Sequence, residues 1–225
     1  YENIPRLQFL QEYCLDFMST VSDVYSENLR TQVFYEPSHK IPFGTTKPVV
    51  IGCDIGKMRN ESVITIAEVI PSPTPENKSY KKLDVKWFIE FPLGTLYEEV
   101  EDYIAYELPK YFPRIVRGVF DATGVGEAVV EAIALKVNKS GHPFPVEPYK
   151  FSKERKKDIV EGGVAALERG QVKISWNKRL NQEMAGYKRE VTESNNLIYN
   201  KTAGSDDYVD SLNLCLHNIT LGIQV

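Results

Sequence analysis

The stretch Val49-Val-Ile-Gly-Cys-Asp-Ile-Gly56 joins a short apolar run to a single carboxylate. Residues 49–53 have the length of a buried strand, and the acid and glycine after them predict a turn. An Asp in this position lies against the edge of the core, where its carboxylate is costly to desolvate unless a cation compensates it. The elements downstream indicate which other acids share that edge.

The residues that follow predict a mixed α/β domain. Strands over 62–70 and 83–91, separated by a proline-rich turn, predict an antiparallel meander with the first strand. A helix over 95–111, with Thr95 as its N-cap, leads to a strand over 115–120. Beyond these we expect helices over 127–137, 152–170, 177–191 and 206–219, strands over 144–149 and 171–175, and a hairpin arm or edge strand over 197–201. Three antiparallel strands followed by parallel strands, flanked by helices, are typical of an RNase H-like sheet.

Two further acidic clusters stand at the ends of predicted elements. Asp121 ends the fourth strand, in Val-Phe-Asp-Ala-Thr-Gly. Asp206, Asp207 and Asp210 begin the last helix, in Ser-Asp-Asp-Tyr-Val-Asp-Ser-Leu. Each acid alone also fits a turn, a loop acceptor or a helix N-terminus. Together they predict a site for Mg²⁺ or Mn²⁺, because hard divalent cations prefer carboxylate oxygens.

These motifs resemble the nuclease domain of tailed-phage large terminases. The resemblance rests on the strand ending in Asp-x-Gly, on Phe-Asp-Ala-Thr-Gly-x-Gly, and on the Ser-Asp-Asp-x-x-Asp-Ser-Leu helix, and Phe9-Leu-Gln-Glu-Tyr13 extends it toward the start of the chain. It implies a divalent-metal-dependent endonuclease that cuts double-stranded DNA during viral genome packaging. Two Mg²⁺ or Mn²⁺ ions would activate a water and stabilise the leaving oxygen.

By this resemblance Asp54 bridges both ions and Asp121 binds one of them. The third carboxylate stays open among Asp206, Asp207 and Asp210. Asp207 and Asp210 are three apart and share a helix face. Because related resolvase-type nucleases use a comparable pair, the resemblance favours Asp207 as the third catalytic residue, supported by Asp210.

Charge is unevenly distributed along the chain, whose formal net charge is -4. Residues 150–190 carry a net charge of +5, which favours contact with a polyanion. Phosphate contacts position a duplex without reading its sequence. The basic residues predicted to contact DNA are Lys153, Arg155, Lys156, Lys157, Lys173, Lys178, Arg179 and Lys201. Of the four in the first run, Lys153, Lys156 and Lys157 are predicted to form the contacting side.

The domain prediction divides the chain at residue 46. Residues 1–46 are predicted to be a helical or irregular linker from a missing ATPase domain, with helical spacing over 7–18 and a second helical stretch over 21–29, and residues 47–225 the nuclease domain. The chain begins with Tyr1 rather than Met, so we expect a fragment or processed product. It has no phosphate-loop motif, so we expect no ATP hydrolysis. Three widely spaced cysteines argue against a disulfide framework or a zinc site.

The expected partners follow from the same resemblance. They are double-stranded DNA and, in the full protein, an ATPase domain, the small terminase subunit and the portal. We expect no membrane association, a monomeric isolated domain, and action at the procapsid in the host cytoplasm. Two alternatives remain: an actin-like or sugar-kinase-like ATP-binding domain, which also begins with Asp-x-Gly, and an inactive docking module of a packaging motor.

Overall fold

The computed structural model describes residues 21–56, 61–71, 82–191, 197–202 and 204–223. These residues form two sheets and seven α-helices. After β5, helices and strands alternate along most of the chain. In chain order the elements are β1 (Val21–Asp23), α1 (Glu27–Val33), β2 (Phe34–Tyr35), β3 (Val49–Asp54), β4 (Ser62–Ile70), β5 (Lys82–Phe91), α2 (Tyr97–Asp102), a π-helical turn (Tyr103–Glu107), α3 (Leu108–Tyr111), β6 (Ile115–Asp121), α4 (Gly126–Lys139), β7 (Val146–Tyr149), α5 (Lys153–Glu168), β8 (Val172–Ser175), α6 (Lys178–Gly186), β9 (Tyr187–Val191), β10 (Leu197–Lys201) and α7 (Asp207–Thr220).

The larger sheet has seven strands in the order β2-β8-β5-β4-β3-β6-β7. β3, β4 and β5 pair antiparallel, as the predicted meander requires. β6 lies parallel to β3, β7 lies parallel to β6, and β8 lies parallel to β5. The predicted mixed sheet of three antiparallel and then parallel strands is confirmed. We call the end where β3 and β6 finish the carboxyl edge.

Helices cover both faces of this sheet. One apolar cluster lies between the sheet and α5, α6 and α7, and a second lies between the sheet and the helices from α2 to α4. α7 packs so closely on β3 that a Cβ at Gly52 would lie 2.1 Å from the backbone N of Cys215. Only glycine allows this approach of helix to strand. Gly52 thereby sets where α7 crosses the sheet.

The N-terminal segment of the described chain packs on the same domain. β1 pairs with β9 in a three-stranded sheet, and β2 pairs with β8 at the edge of the larger sheet. The predicted helix over 21–29 is wrong at its start, because β1 occupies 21–23 and α1 begins at Glu27, with Ser26 accepting from Leu29 N. The predicted helical spacing over 7–18 lies outside the described residues, and a boundary at residue 46 stays a prediction.

Two other local predictions differ from the structure. The helix predicted over 177–191 ends at Gly186, and Tyr187–Val191 is a strand because it pairs with both β1 and β10. Thr95 is not an N-cap: its hydroxyl donates to Pro92 O, and the Glu99 carboxylate accepts from Leu96 N instead. Pairing with distant strands ends the first of these helices at Gly186, and the Glu99 side chain caps the start of the second. Within the described ranges, none of the helices is long and apolar enough to span a membrane.

Candidate metal centre

Strand pairing places the first two predicted ligands side by side. Cys53 on β3 pairs with Phe120 on β6, and the next residue of each strand is Asp54 and Asp121. Because the two strands are parallel, both carboxylates emerge at the carboxyl edge. The sequence predicted this juxtaposition from the positions of the two acids at strand ends.

The loop after β6 is organised around Asp121. Its Oδ1 accepts from Thr123 N at 2.8 Å, and the Thr123 hydroxyl accepts from Phe151 N at 2.9 Å. Gly124 has a φ of +65°, a left-handed conformation that favours glycine. At Gly126 a Cβ would lie 2.6 Å from Asp121 O. The residues Asp-Ala-Thr-Gly-Val-Gly therefore orient Asp121 and connect its loop to the start of α5.

α7 brings the remaining aspartates to the same edge. Burial raises the pKa of Asp54 well above its ordinary value, and the charges of Asp210, Asp121 and Asp207 raise it further. Burial likewise raises the pKa of Asp210 to about 6, although Lys156 beside it acts in the opposite direction. A Cβ at Gly52 would lie 2.3 Å from Ser211 O, so the first turn of α7, which carries Asp207 and Asp210, packs beside the end of β3, where Asp54 stands.

Asp206 has a different environment from the other four. Its two oxygens contact Lys156 Nζ at 3.4 Å and Lys201 Nζ at 2.9 Å. Although burial alone would raise the pKa of Asp206, these two cations hold it below the ordinary value. The chain itself therefore compensates the charge of Asp206.

Glu183 is a residue of this centre that sequence analysis did not identify. From α6 its carboxylate accepts from Tyr208 N at 2.9 Å and Val209 N at 3.2 Å, so it caps the first turn of α7. Burial raises its pKa to about 7 even though both backbone N–H groups act to lower it. Asp206 precedes the helix but makes no capping hydrogen bond with its side chain. Glu183 and the Ser205 hydroxyl, which hydrogen-bonds Asp207, together position the ligand-bearing turn.

The carboxylate oxygens are the type of donor that a hard divalent cation binds, although their side chains are not arranged around a common point. Among the residues described, no three His, Cys, Asp or Glu side chains are arranged to hold an ion as they stand. Lys156 accounts for part of this, since its ammonium lies 2.8 Å from Asp210 Oδ2. Asp210 Oδ1 is buried without a hydrogen-bond partner. A hard divalent cation would compensate such an unsatisfied carboxylate oxygen among mutually repelling acids.

The predicted DNA-contacting residues are spread over several surfaces. Lys153, Arg155 and Lys178 are exposed, with Arg155 lying over the Tyr149 ring. Lys156 and Lys201 point to the carboxylates, and Arg179 pairs with Glu61, Glu90 and Glu183. Lys157 is partly buried. Lys173 contacts Asp84, six residues before Glu90 on β5, so it lies roughly 20 Å along the strands from the carboxyl edge.

Comparison with known proteins gives a consistent fold. No family model and no curated protein sequence matches the chain. Among solved structures, it is similar to the large terminase nuclease from thermophilic phage G20c with bound cobalt (TM-score 0.64, 20% identity, 86% of this chain and 96% of that one). It is also similar to the large terminase nuclease domain of Thermus phage P74-26 (TM-score 0.62, 19% identity, 88% and 95%). The chain has the fold of a terminase nuclease domain.

This likeness confirms the predicted RNase H-like α/β fold. A further match, the HK97 bacteriophage large terminase, has 13% identity and a TM-score of 0.61, and the chain covers 43% of it. The G20c nuclease has also been solved with bound magnesium. At these identities the comparison establishes the fold, so the roles of the aspartates in this chain remain proposals.

Proposed function

We propose that this chain is a divalent-metal-dependent endonuclease that cuts double-stranded DNA during viral genome packaging. The observation that carries the proposal is that Asp54 and Asp121 end paired parallel strands, and that the first turn of α7, with Asp207 and Asp210, packs against the end of β3. The fold supports it, since the G20c nuclease of similar fold was solved with magnesium and with cobalt.

Within this proposal, Asp54, Asp121, Asp207 and Asp210 hold two Mg²⁺ or Mn²⁺ ions. Asp206 instead pairs with Lys156 and Lys201. Such ions supply Lewis-acid stabilisation of phosphate oxygens and lower the pKa of a bound water. The chain orients its ligands through the Asp121 loop and the Glu183 cap. Its exposed basic residues around the start of α5 hold the DNA backbone.

The direct test is a plasmid-nicking assay on purified protein with Mn²⁺ and with an excess of chelator. We expect nicked and linear DNA with Mn²⁺ and none with chelator. Cleavage that persists unchanged in chelator would overturn metal dependence. Binding of DNA without cleavage under any metal would favour the inactive docking module, and ATP binding in calorimetry would favour the kinase-like alternative.

Metal binding should also appear as a change in thermal stability. At an Mn²⁺ concentration about 100-fold above Kd, mass action should stabilise the folded protein by roughly 2.7 kcal/mol, on the order of 8 °C for a domain of this size. Asp54→Asn should lose most of this rise. Differential scanning fluorimetry with and without Mn²⁺ measures both, and a full Mn²⁺ response in Asp54→Asn would place the ions elsewhere.

The same variant should melt higher than wild type in chelator. Folding raises the pKa of Asp54, so the folded state binds that proton more tightly than the unfolded state does. Stability then falls as the pH rises from the ordinary Asp pKa to the raised one. Asp54→Asn removes this loss, so its gain of a few degrees should be present at about pH 8 and absent at about pH 4. An equal gain at both would rule out this electrostatic origin.

DNA binding should depend on the lysines at the start of α5. Lys153 and Lys157 lie four apart and share a helix face. The double variant Lys153→Gln/Lys157→Gln should weaken binding to all duplex sequences alike, because phosphate contacts carry no sequence information. The slope of log affinity against log salt should fall by up to about 1.8, or about 0.9 for each phosphate that is no longer neutralised. Fluorescence anisotropy in Ca²⁺ across a salt series measures it.

Two lysines at the opposite end of the sheet provide a matched control. Lys110 lies in α3, just before β6 begins, and Lys139 is the last residue of α4. Both are exposed, and their double replacement by Gln removes the same net charge. It should leave the salt slope unchanged. Equal slopes for wild type and the Lys153/Lys157 variant would move the DNA surface toward Lys178 and Arg179.

The broader role is proposed on the same basis. Large terminases of similar fold include one from another thermophilic bacteriophage, solved with ADP and with ATP-γ-S, and this chain covers 45% and 48% of those chains. We infer an ATPase domain in the full protein, together with a small terminase subunit and a portal as partners. We also infer a monomeric isolated domain and a place of action at the procapsid in the host cytoplasm.

A further inference from the structure

Lys156 lies inside the carboxylate cluster rather than on the solvent face of α5. Its ammonium is 2.8 Å from Asp210 Oδ2 and 3.4 Å from Asp206 Oδ2. Helix phase explains this orientation, because Ile159 and Val160, three and four residues later, are buried in the core. The residue that sequence analysis assigned to DNA is therefore a partner of the aspartates.

Packing also holds the Lys156 ammonium in place. The side chain is 24% exposed, and the ammonium lies 5.6 Å from the ring centroid of Phe151 and 5.8 Å from that of Tyr187. These rings come from the loop before α5 and from β9. A cation fixed by two aromatic rings and two carboxylates is part of the centre, unlike a surface lysine that moves freely in water.

We propose that Lys156 is a built-in counter-ion of the carboxylate cluster that competes with the divalent cation for Asp210 and so lowers metal affinity. This inference rests on the proposed function and adds a means of regulating it. One oxygen of Asp210 contacts Lys156, while the other is buried without a partner. A divalent cation at that free oxygen would be repelled by an ammonium a few ångströms away.

The second lysine of the centre defines the expected order of effects. Lys201 contacts Asp206 at 2.9 Å, and its side chain is 39% exposed. Lys156 contacts both Asp206 and Asp210 and is more buried. Water screens the charge of an exposed group more strongly. Removing the charge of Lys156 should therefore change metal affinity more than removing that of Lys201.

The test compares Lys156→Met with wild type, Lys201→Met and Lys139→Met, using Mn²⁺ titrations in the calorimeter and melting curves in chelator. Lys156→Met should bind Mn²⁺ about 10-fold more tightly, the change expected for loss of one partly screened positive charge near the ion. It should also melt lower in chelator, because the aspartates lose their counter-ion. Lys201→Met should shift both values less, and Lys139→Met should shift neither.

A second variant separates charge from packing. Lys156→Arg keeps the positive charge and should retain the affinity of wild type, whereas tighter Mn²⁺ binding in both variants would overturn the competition. Unchanged or weaker binding in Lys156→Met would overturn it as well. If wild type itself binds no Mn²⁺, the proposed function fails first and the inference falls with it, a result visible without any variant.

Discussion

Replacing Asp54 or Asp121 by alanine is expected to lower Mn²⁺-dependent plasmid cleavage by roughly 10³-fold or more, the scale of loss when a residue acting as part of a catalytic unit is removed. The two acids end adjacent parallel strands, so each is held by the sheet at the place where its carboxylate meets the other. Each replacement removes only a short side chain at the end of a strand. The loss should therefore come from the site and leave the circular dichroism spectrum unchanged.

The matched control for these variants is Asp102→Ala. Asp102 is the last residue of α2, half exposed, and pairs with Lys136 on α4. This variant also removes one aspartate carboxylate, but from a position outside the cluster, so cleavage should stay within a few-fold of wild type. Near-normal cleavage by Asp54→Ala or Asp121→Ala would eliminate the assigned centre, whatever the control shows.

The same assay can settle the third position. The resemblance favoured Asp207 with Asp210 in support, and the structure places both on the turn of α7 that packs at the end of β3. Asp206 is compensated by two lysines and should matter less to the chemistry. The sequence identified all three candidates because a run of acids at a predicted helix start is visible locally. It could not separate them, because the contact of Lys201 with Asp206 depends on how β10 pairs with β9 and not on a local pattern.

Other features depended on long-range interactions that no local pattern carries. Glu183 caps α7 from a different helix, 25 residues before Tyr208, and nothing around it in the sequence marks that role. Tyr187–Val191 follows a helix without a break and forms a strand only because two partner strands flank it. Pairing partners outweigh local helical preference here.

Some of the missed information was present in the sequence. Sequence analysis grouped the lysines at the start of α5 by which of them share a helix face. It did not compare their positions with those of the apolar residues that follow. Lys156 is in phase with the buried Ile159 and Val160, and Lys153 is exposed. A lysine on the apolar face of an amphipathic helix indicates a buried acidic partner. Helix phase alone does not name Asp210 or separate Lys156 from Lys153, which lies seven residues before Val160.

The second large effect is expected at Gly52, in the middle of β3. A Cβ there would lie 2.1 Å from Cys215 N and 2.3 Å from Ser211 O, both backbone atoms of α7. Backbone cannot rotate away as a side chain can, so Gly52→Ala must push the helix off the sheet. We expect a loss of about 3 kcal/mol or more in the free energy of unfolding, a fall on the order of 10 °C in Tm, or failure to fold.

Gly162→Ala is the matched control, since the same change in α5 meets only Thr220 Oγ1 at 3.7 Å. Alanine suits a helix interior better than glycine, so this variant should be as stable as wild type or up to about 1 kcal/mol more stable. Any folded fraction of Gly52→Ala should also lose its Mn²⁺-induced rise in Tm, because α7 carries Asp207 and Asp210 to Asp54. If Gly52→Ala has the Tm of wild type and keeps the Mn²⁺-induced rise in Tm, the close crossing of α7 and β3 does not position the ligands.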